Sequence, residues 1–399
     1  MSGLHRRTFL TAIPAGCAAA SLSDRAPEFD VANFDSEQLS PTYGIEPVVG
    51  DGKWVWKKPP KDKRGYLEPR RYRARIGIQM QGRGSASNLK STTMVPCPLP
   101  EQTIEKLNID TQGCRAAIRR LDREAAQLYL AAPSIVAGQL VSAIATFELV
   151  LRKEYHGYKG EMFAKKQRPS RDFRRFLGDS PGIQVRHKSV RQIAHQITSD
   201  FQQPWDQAHA IFRWVRSKIR GRPQPYTSVL TALKKNVGDC EERAAVFVAL
   251  CRASNIPARL VWVPSHNWAE FYLHNEKGKG AWIPAHTAAY NFFGWTGAHE
   301  LVLQKGDRIR VPEKRRPYRL VPDWTRFIGA APGVRYLAEL VPLPPKEGGE
   351  AGPGHRVKDQ RGAWVRVGRH PLDRLLRDGG TKTSLSRIKN RRYRKKKPR

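Results

Sequence analysis

The stretch Asn236-Val237-Gly238-Asp239-Cys240-Glu241-Glu242-Arg243 is followed at once by the apolar run Ala244-Ala245-Val246-Phe247-Val248-Ala249-Leu250. Gly238 ends a loop, and from Cys240 onwards apolar residues recur at helical spacing, which predicts a buried helix. Cys240 would therefore lie in the first turn. There the backbone N–H groups and the positive end of the helix dipole favour the thiolate, the reactive form of cysteine. Cys251, further along without polar neighbours, is instead typical of a packing residue.

A histidine follows in the segment Ser265-His266-Asn267-Trp268-Ala269-Glu270-Phe271-Tyr272-Leu273. Its alternation predicts a strand with one buried and one wetter face, with His266 at the start. An imidazole within hydrogen-bond reach of a thiol can take up and return the thiol proton. A cysteine at a helix start and a histidine on the following strand therefore indicate thiol chemistry.

Four short motifs together resemble the transglutaminase-like (papain-like) superfamily. They are Gly238-x-Cys240, Leu250-x-Arg252-Ala253-x-x-Ile256-Pro257-Ala258-Arg259, His266-x-Trp268-x-Glu270-x-Tyr272 and Trp282-Ile283-Pro284. The resemblance implies that Cys240 is the nucleophile and that His266 is the general base and acid. It also implies an upstream side chain in the oxyanion hole, here Gln224 or Tyr226, with simple loop packing as the alternative.

One position departs from the family pattern. An acidic residue that orients the histidine is expected after the Trp-x-Pro segment, but the chain reads Trp282-Ile283-Pro284-Ala285-His286. A neutral His286 can hold His266 through a ring nitrogen, yet it cannot offset the positive charge that forms on His266. Three outcomes are open. Activity is reduced, or Glu270, Asn291 or another group takes over the orienting role, or the site no longer turns over.

The chain as a whole predicts an α+β protein of two domains. Residues 66–165 carry strand patterns and resemble the antiparallel β-sandwich domain that precedes transglutaminase-like domains in exported bacterial proteins. Within them, residues 113–130 fit either one helix or two strands around a turn, and we expect strands. Residues 170–340 would form the core in which the Cys240 helix packs on a small antiparallel sheet. The apolar segment before residue 343 would pack over that sheet.

The two ends of the chain suggest export and attachment. Residues 1–22 resemble a signal peptide with the twin-arginine pattern Arg6-Arg7-x-Phe9-Leu10; the alternatives are a short amphipathic helix and lipidation of Cys17. We expect residues 23–65 to be an irregular linker and residues 341–399 a disordered basic tail. Localisation in the periplasm or cell envelope follows.

The chain has 399 residues and a formal net charge of +35 at pH 7. The basic tail is either simply solvated or attached to an anionic envelope polymer or membrane surface. Nucleic acid is a poor candidate, because Tyr393 alone gives little base stacking. Cys97 and Cys114 are either a disulfide or two unrelated thiols. No metal-ligand or nucleotide motif is present, so we expect no cofactor; the oligomeric state is open.

Three functions fit these features. In the first, Cys240 attacks a carboxamide of a protein or peptide, and the acyl group passes to water in a cysteine peptidase or amidase, or to an amine in a protein-glutamine acyltransferase. In the second, the triad has decayed and the domain only binds. In the third, the protein is a scaffold held by its basic tail.

Overall fold

The computed structural model describes residues 55–288 and 291–344. The predicted signal peptide, most of the predicted linker and nearly all of the predicted tail lie outside these residues. Within them antiparallel strands predominate and helices are few. The predicted α+β class is therefore confirmed.

The first part of the described chain consists of strands. They are β1 (Gly65–Gln81), β2 (Ala86–Val95), β3 (Gln102–Gln112), β4 (Arg115–Asp122), β5 (Ala125–Ile135) and β6 (Leu140–Tyr155). β4 and β5 pair across a tight turn with Ile118 opposite Leu128, and both side chains are buried. Residues 113–130 thus form two strands around a turn, as predicted.

Helices and short strands follow. They are α1 (Arg171–Arg174), α2 (Lys188–Thr198), α3 (Pro204–Lys218), β7 (Arg220–Gly221), α4 (Val229–Lys235), β8 (Val237–Gly238) and α5 (Cys240–Ala253). The remaining strands are β9 (Ala258–Val263), β10 (His266–His274), β11 (Gly280–Ala285), β12 (Trp295–Thr296), β13 (Gln304–Lys305), β14 (Trp324–Gly329) and β15 (Gly333–Pro342). The helix at Cys240 and the strands after it lie where the sequence predicts them.

Two antiparallel sheets hold these elements together. One has the order β12-β6-β1-β15, with β3 also on β6; the other has the order β11-β10-β9-β13-β5-β2-β14, with β4 on β5. β14 pairs with β2, and β15 pairs with β1. These strands extend the two sheets at their edges, so the expectation that this segment packs over the face of the sheet formed by β9, β10 and β11 is wrong. The physical reason is that they cover strand edges that would otherwise leave backbone groups unpaired. The domain limits at 66–165 and 170–340 stay a prediction.

α5 lies at the centre of the helical core. Every residue from Ala244 to Cys251 has no exposed surface, as expected for a helix that is apolar on all sides. Phe247 meets Phe271 of β10 edge to face, with ring centroids 6.0 Å apart. This contact fixes α5 against β10, the strand that starts at His266.

A buried ion pair anchors the other end of α5. Arg252 donates to both carboxylate oxygens of Asp307, at 2.9 and 2.8 Å, and to the carbonyl of Ala258. Both charged side chains are almost fully buried. Because a buried charge is tolerated only when it is paired, this bond holds α5 in one position relative to β9.

Candidate active site

The N-terminus of α5 is closed by a capping box. Asp239 accepts hydrogen bonds from the N–H groups of Glu241 (2.8 Å) and Glu242 (3.3 Å), and the Glu242 carboxylate accepts from Asp239 N–H (2.9 Å). Glu242 also accepts from Thr227 N–H at 2.8 Å. Reciprocal caps of this kind fix where a helix starts. Cys240 is therefore held as the first residue of α5.

Cys240 differs from the other cysteines of the described chain in its surroundings. It is half-buried at a helix start, whereas Cys97 and Cys251 are buried. Burial raises the pKa of Cys97 to about 12 and that of Cys251 well above its usual value. Cys114 donates its thiol proton to the carbonyl of Ser142. Cys97 and Cys114 form no disulfide, so that alternative is not realised.

His266 begins β10 directly after the turn at Ser265, whose φ is 57°. Burial lowers the pKa of His266 to about 4, and the Asp239 carboxylate acts in the opposite direction. The imidazole is therefore neutral near pH 7, the form that can accept a proton. Its Nε2 is buried without a hydrogen-bond partner among the described residues. Since Asp239 directly precedes Cys240, the structure brings His266 and the start of α5 to the same end of the sheet.

His286 lies one residue beyond β11, next to His266. The two ring centroids are 6.2 Å apart. Trp268 stacks on His286 at 4.6 Å, with ring planes 13° apart, and Phe292 meets its ring at 69°. The Arg216 guanidinium donates to the carbonyls of Ala288 (3.0 Å) and His286 (3.4 Å). The structure therefore places the ring of His286 next to that of His266.

His286 is electrically neutral at physiological pH. It has no exposed surface, and burial lowers its pKa well below the usual value, with further lowering by His266 and Arg216. A neutral imidazole offers one donor and one acceptor nitrogen. It can orient His266, but it supplies no negative charge.

A carboxyl group that no sequence motif identifies lies beside His286. Glu300 Oε2 is 3.9 Å from Nε2 of His286, and the Glu300 side chain is 3% exposed. Burial raises the pKa of Glu300 to about 8. Glu300 occupies the irregular segment between β12 and β13, where no periodic pattern or motif would have marked it.

The two alternative acidic or polar partners named from the sequence are placed differently. Glu270 accepts from Arg259 and from Lys305, both at 2.7 Å, one on each carboxylate oxygen. Burial acts to raise the pKa of Glu270, but Lys305 and Arg259 lower it overall. Both oxygens are thus engaged in a structural ion-pair network. Asn291 is exposed, which does not fit a buried orienting group.

The two oxyanion candidates also differ. The Tyr226 hydroxyl donates to the Gly182 carbonyl at 2.8 Å, and the Arg319 guanidinium lies 3.5 Å from the centre of its ring. Its one donor is therefore used in loop packing. Gln224 is half-buried in the loop before α4. In the same loop, the N–H of Arg222 donates to the carbonyl of Gly238 at 3.0 Å. The loop that carries Gln224 therefore contacts the segment directly before Cys240.

Two further properties concern the described residues alone. Within residues 55–288 and 291–344 there is no group of three or more metal-ligating side chains that could hold an ion. In the same part of the chain no helix combines the length and apolar character required to cross a bilayer.

Comparison with solved structures gives distant likenesses. A "putative cysteine protease" from Cytophaga hutchinsonii has 14% identity and a TM-score of 0.48, covering 70% of this chain and 92% of that one. A "putative protease" from Parabacteroides distasonis has 14% identity and a TM-score of 0.23, covering 55% of this chain and 44% of that one. The periplasmic domain of TgpA from Pseudomonas aeruginosa has 13% identity and a TM-score of 0.26, covering 55% and 87%.

The segment that carries the candidate site matches a known family in sequence. A comparison with curated proteins gives no match. Residues 191–287 match the family described as the transglutaminase-like superfamily. That range contains Gln224, Tyr226, Cys240, His266 and His286, whereas Glu300 lies beyond it. The chain therefore carries a transglutaminase-like domain at residues 191–287.

Proposed function

We propose that the protein is a thiol enzyme that transfers or hydrolyses acyl groups of peptides, with Cys240 as nucleophile. The observation that carries the proposal is a half-buried cysteine at a capped helix start whose preceding residue, Asp239, acts electrostatically on His266, a histidine held in its neutral form. A neutral imidazole next to a thiol can act as its base.

The reaction would follow two steps. Cys240 Sγ attacks the carbonyl carbon of a carboxamide while its proton passes to His266. The C–N bond then breaks, the leaving nitrogen takes that proton, and a thioester forms on Cys240. In the second step water or an amine attacks the thioester carbon and gives its proton to His266. The C–S bond then breaks, and Cys240 Sγ takes that proton back from His266. Gln224 is the candidate to meet the oxyanion in both steps.

The experiment uses a mixture of peptides, a fluorescent primary amine and the full chain, with Cys240→Ala as control. Mass spectrometry would detect new peptide termini for hydrolysis of peptide bonds, loss of ammonia for glutamine hydrolysis, or attached amine for transfer. We expect one of these products with the wild type alone. Identical peptide profiles for wild type and Cys240→Ala would overturn the proposal.

A second candidate is a binding protein whose triad has decayed. The observation in its favour is that His286, which cannot carry the negative charge of a carboxylate, stands at the acidic position. The same experiment separates the two, because a decayed site gives no product while still retaining peptide on an affinity column.

We place this activity outside the cytoplasm, on the strength of the signal-like residues 1–22 alone. The basic residues 341–399 would then attach the protein to an anionic envelope polymer or membrane surface. Deletion of residues 380–399 should abolish salt-sensitive retention on an anionic matrix. Retention that survives the deletion would contradict attachment by the tail.

A further inference from the structure

Glu300 is a buried carboxyl group without an evident structural use. Neither of its oxygens has a hydrogen-bond partner among residues 55–288 and 291–344. Leaving a polar group buried and unsatisfied costs folding free energy, so such groups are rare in folded proteins. Where one persists, a functional role is a physical explanation for it.

The neighbours of Glu300 single it out from the other acids nearby. It shares a small pocket with Glu101, Arg152, Glu154, Trp268 and Glu270. Lys305 pairs with Glu101 at 2.6 Å and with Glu270 at 2.7 Å, and His156 lies 3.3 Å from Glu154. Arg152 donates to Thr103. Four glutamates line this pocket. Among the described residues, Glu300 is the one of the four that makes an ion-pair contact with His286.

Glu300, His286 and His266 follow one another toward the start of α5, which carries Cys240. Glu300 Oε2 lies 3.9 Å from His286 Nε2, and the His286 ring lies 6.2 Å from the His266 ring. The charge of Asp239, the residue directly before Cys240, acts to raise the pKa of His266 against the larger effect of burial. Stacking on Trp268 restricts the His286 ring to one plane, which fixes the direction in which its nitrogens point.

We propose that Glu300, acting through His286, supplies the negative charge that the family carries at position 286. This inference rests on the proposed thiol chemistry and makes Glu300 a positioning residue. His286 would hold its proton on Nε2 and donate it to the Glu300 carboxylate. Its Nδ1 lone pair would then accept from the N–H of His266.

The protons and charges balance without an added reactant. Cys240 passes its proton to one nitrogen of His266, which leaves a thiolate and an imidazolium. The second N–H of His266 is accepted by His286, and the ionised Glu300 offsets the new positive charge. The 3.9 Å separation is longer than a hydrogen bond, so Glu300 and His286 must approach by about 1 Å as the charge develops.

The experiment measures the rate at which iodoacetamide alkylates Cys240, resolved from other thiols by peptide mass spectrometry, across pH. Above about pH 8, where Glu300 is ionised, we expect Glu300→Gln to slow alkylation about tenfold, equivalent to one pKa unit of thiolate stabilisation. It should also remove the inflection near pH 8 that ionisation of Glu300 gives the wild type. Glu154→Gln, a matched change in the same pocket, should leave the rate unchanged.

A second variant tests whether Glu300 acts through His286. In His286→Asp the carboxylate is supplied directly, so adding Glu300→Gln should have no further effect. Equal slowing in both backgrounds would overturn the inference, as would a Glu300→Gln protein that behaves like Glu154→Gln. If Cys240 of the wild type reacts no faster than Cys114, the proposed function itself fails. Thermal unfolding of each variant separates slow alkylation from loss of fold.

Discussion

The indole of Trp268 lies flat against the imidazole of His286, with ring centroids 4.6 Å apart and planes 13° apart. An aspartate could not form this stack. The histidine at the acidic position of the family is therefore built into the packing of the sheet end, and its ring has one defined orientation toward His266. A neutral ring therefore fills the position at which the family pattern expects a carboxylate.

The variant His286→Asp should be less stable than the wild type, and its Cys240 thiol should react faster. The change loses the stack on Trp268 and leaves a cavity, which should cost about 1–3 kcal/mol of unfolding free energy. Near pH 7, where Glu300 is still protonated, the added carboxylate should accelerate alkylation of Cys240 about tenfold, because it stabilises the imidazolium of His266. Urea unfolding and iodoacetamide kinetics measure the two effects.

The matched control for that change is His286→Asn. It should lose similar stability but gain no reactivity, since an amide carries no charge. If Asn and Asp variants react at equal rates, charge at position 286 is not what limits the thiol.

Asp239 should act on His266 through its charge and on α5 through its cap. Asp239→Asn keeps an equally good cap but removes the carboxylate that opposes the lowering of the His266 pKa. We therefore expect the His266 pKa to fall below its value of about 4, as read by NMR of histidine-labelled protein. Asp239→Ala should in addition destabilise the protein by about 1 kcal/mol. An unchanged His266 titration in Asp239→Asn would show that the two side chains do not interact.

Part of this arrangement could be predicted from the sequence and part could not. The apolar run after Cys240 and the strand pattern after His266 are local, and α5 and β10 lie where they predict. The wetter face predicted for β10 is wrong, however, because Asn267 to Leu273 are all buried between neighbouring elements. No comparable pattern marks β2, because buried polar residues at 91–93 interrupt its apolar alternation. The partners of β14 and β15 are far away in the chain, and no local pattern encodes such pairing.

The site shows the same division. His266 and His286 stand in motifs of fixed spacing, so their proximity could be expected. Glu300 reaches His286 only because the segment between β12 and β13 folds back over the sheet end. The engaged hydroxyl of Tyr226 depends on Gly182, a contact that the sequence did not indicate.

The stability of the protein at alkaline pH should depend on Glu300. Burial raises its pKa to about 8 from 4.5 in the ordinary carboxyl, so the folded state holds this proton more tightly than the unfolded state. The resulting stabilisation is fully present below about pH 4.5 and is lost as pH rises through about 8. As the pH rises from about 5 to about 9, the unfolding free energy of Glu300→Gln should therefore fall by less than that of the wild type.

Urea unfolding at the two pH values measures that difference, with Glu154→Gln as the control because Glu154 lies in the same pocket. Parallel losses of stability in wild type and Glu300→Gln would contradict a raised pKa for Glu300.

The buried pair that anchors α5 should contribute far more than a surface pair. Arg252→Met leaves Asp307 charged and unpaired in the core, which should cost about 3–5 kcal/mol. Arg175→Met breaks the exposed contact with Asp122 (3.0 Å) and should cost about 1 kcal/mol or less. Denaturant midpoints compare the two variants directly. Similar shifts for both would mean that Arg252 does not hold α5 in place.

The central claim is that His266 activates the thiol of Cys240. The most direct measurement is the rate of iodoacetamide alkylation of Cys240 near neutral pH in wild type and His266→Gln, with the half-buried Cys114 as an internal reference. The account predicts that Cys240 reacts faster than Cys114 in the wild type and loses this advantage in His266→Gln. Equal reactivity of the two cysteines, or an advantage of Cys240 that survives the loss of His266, would contradict it.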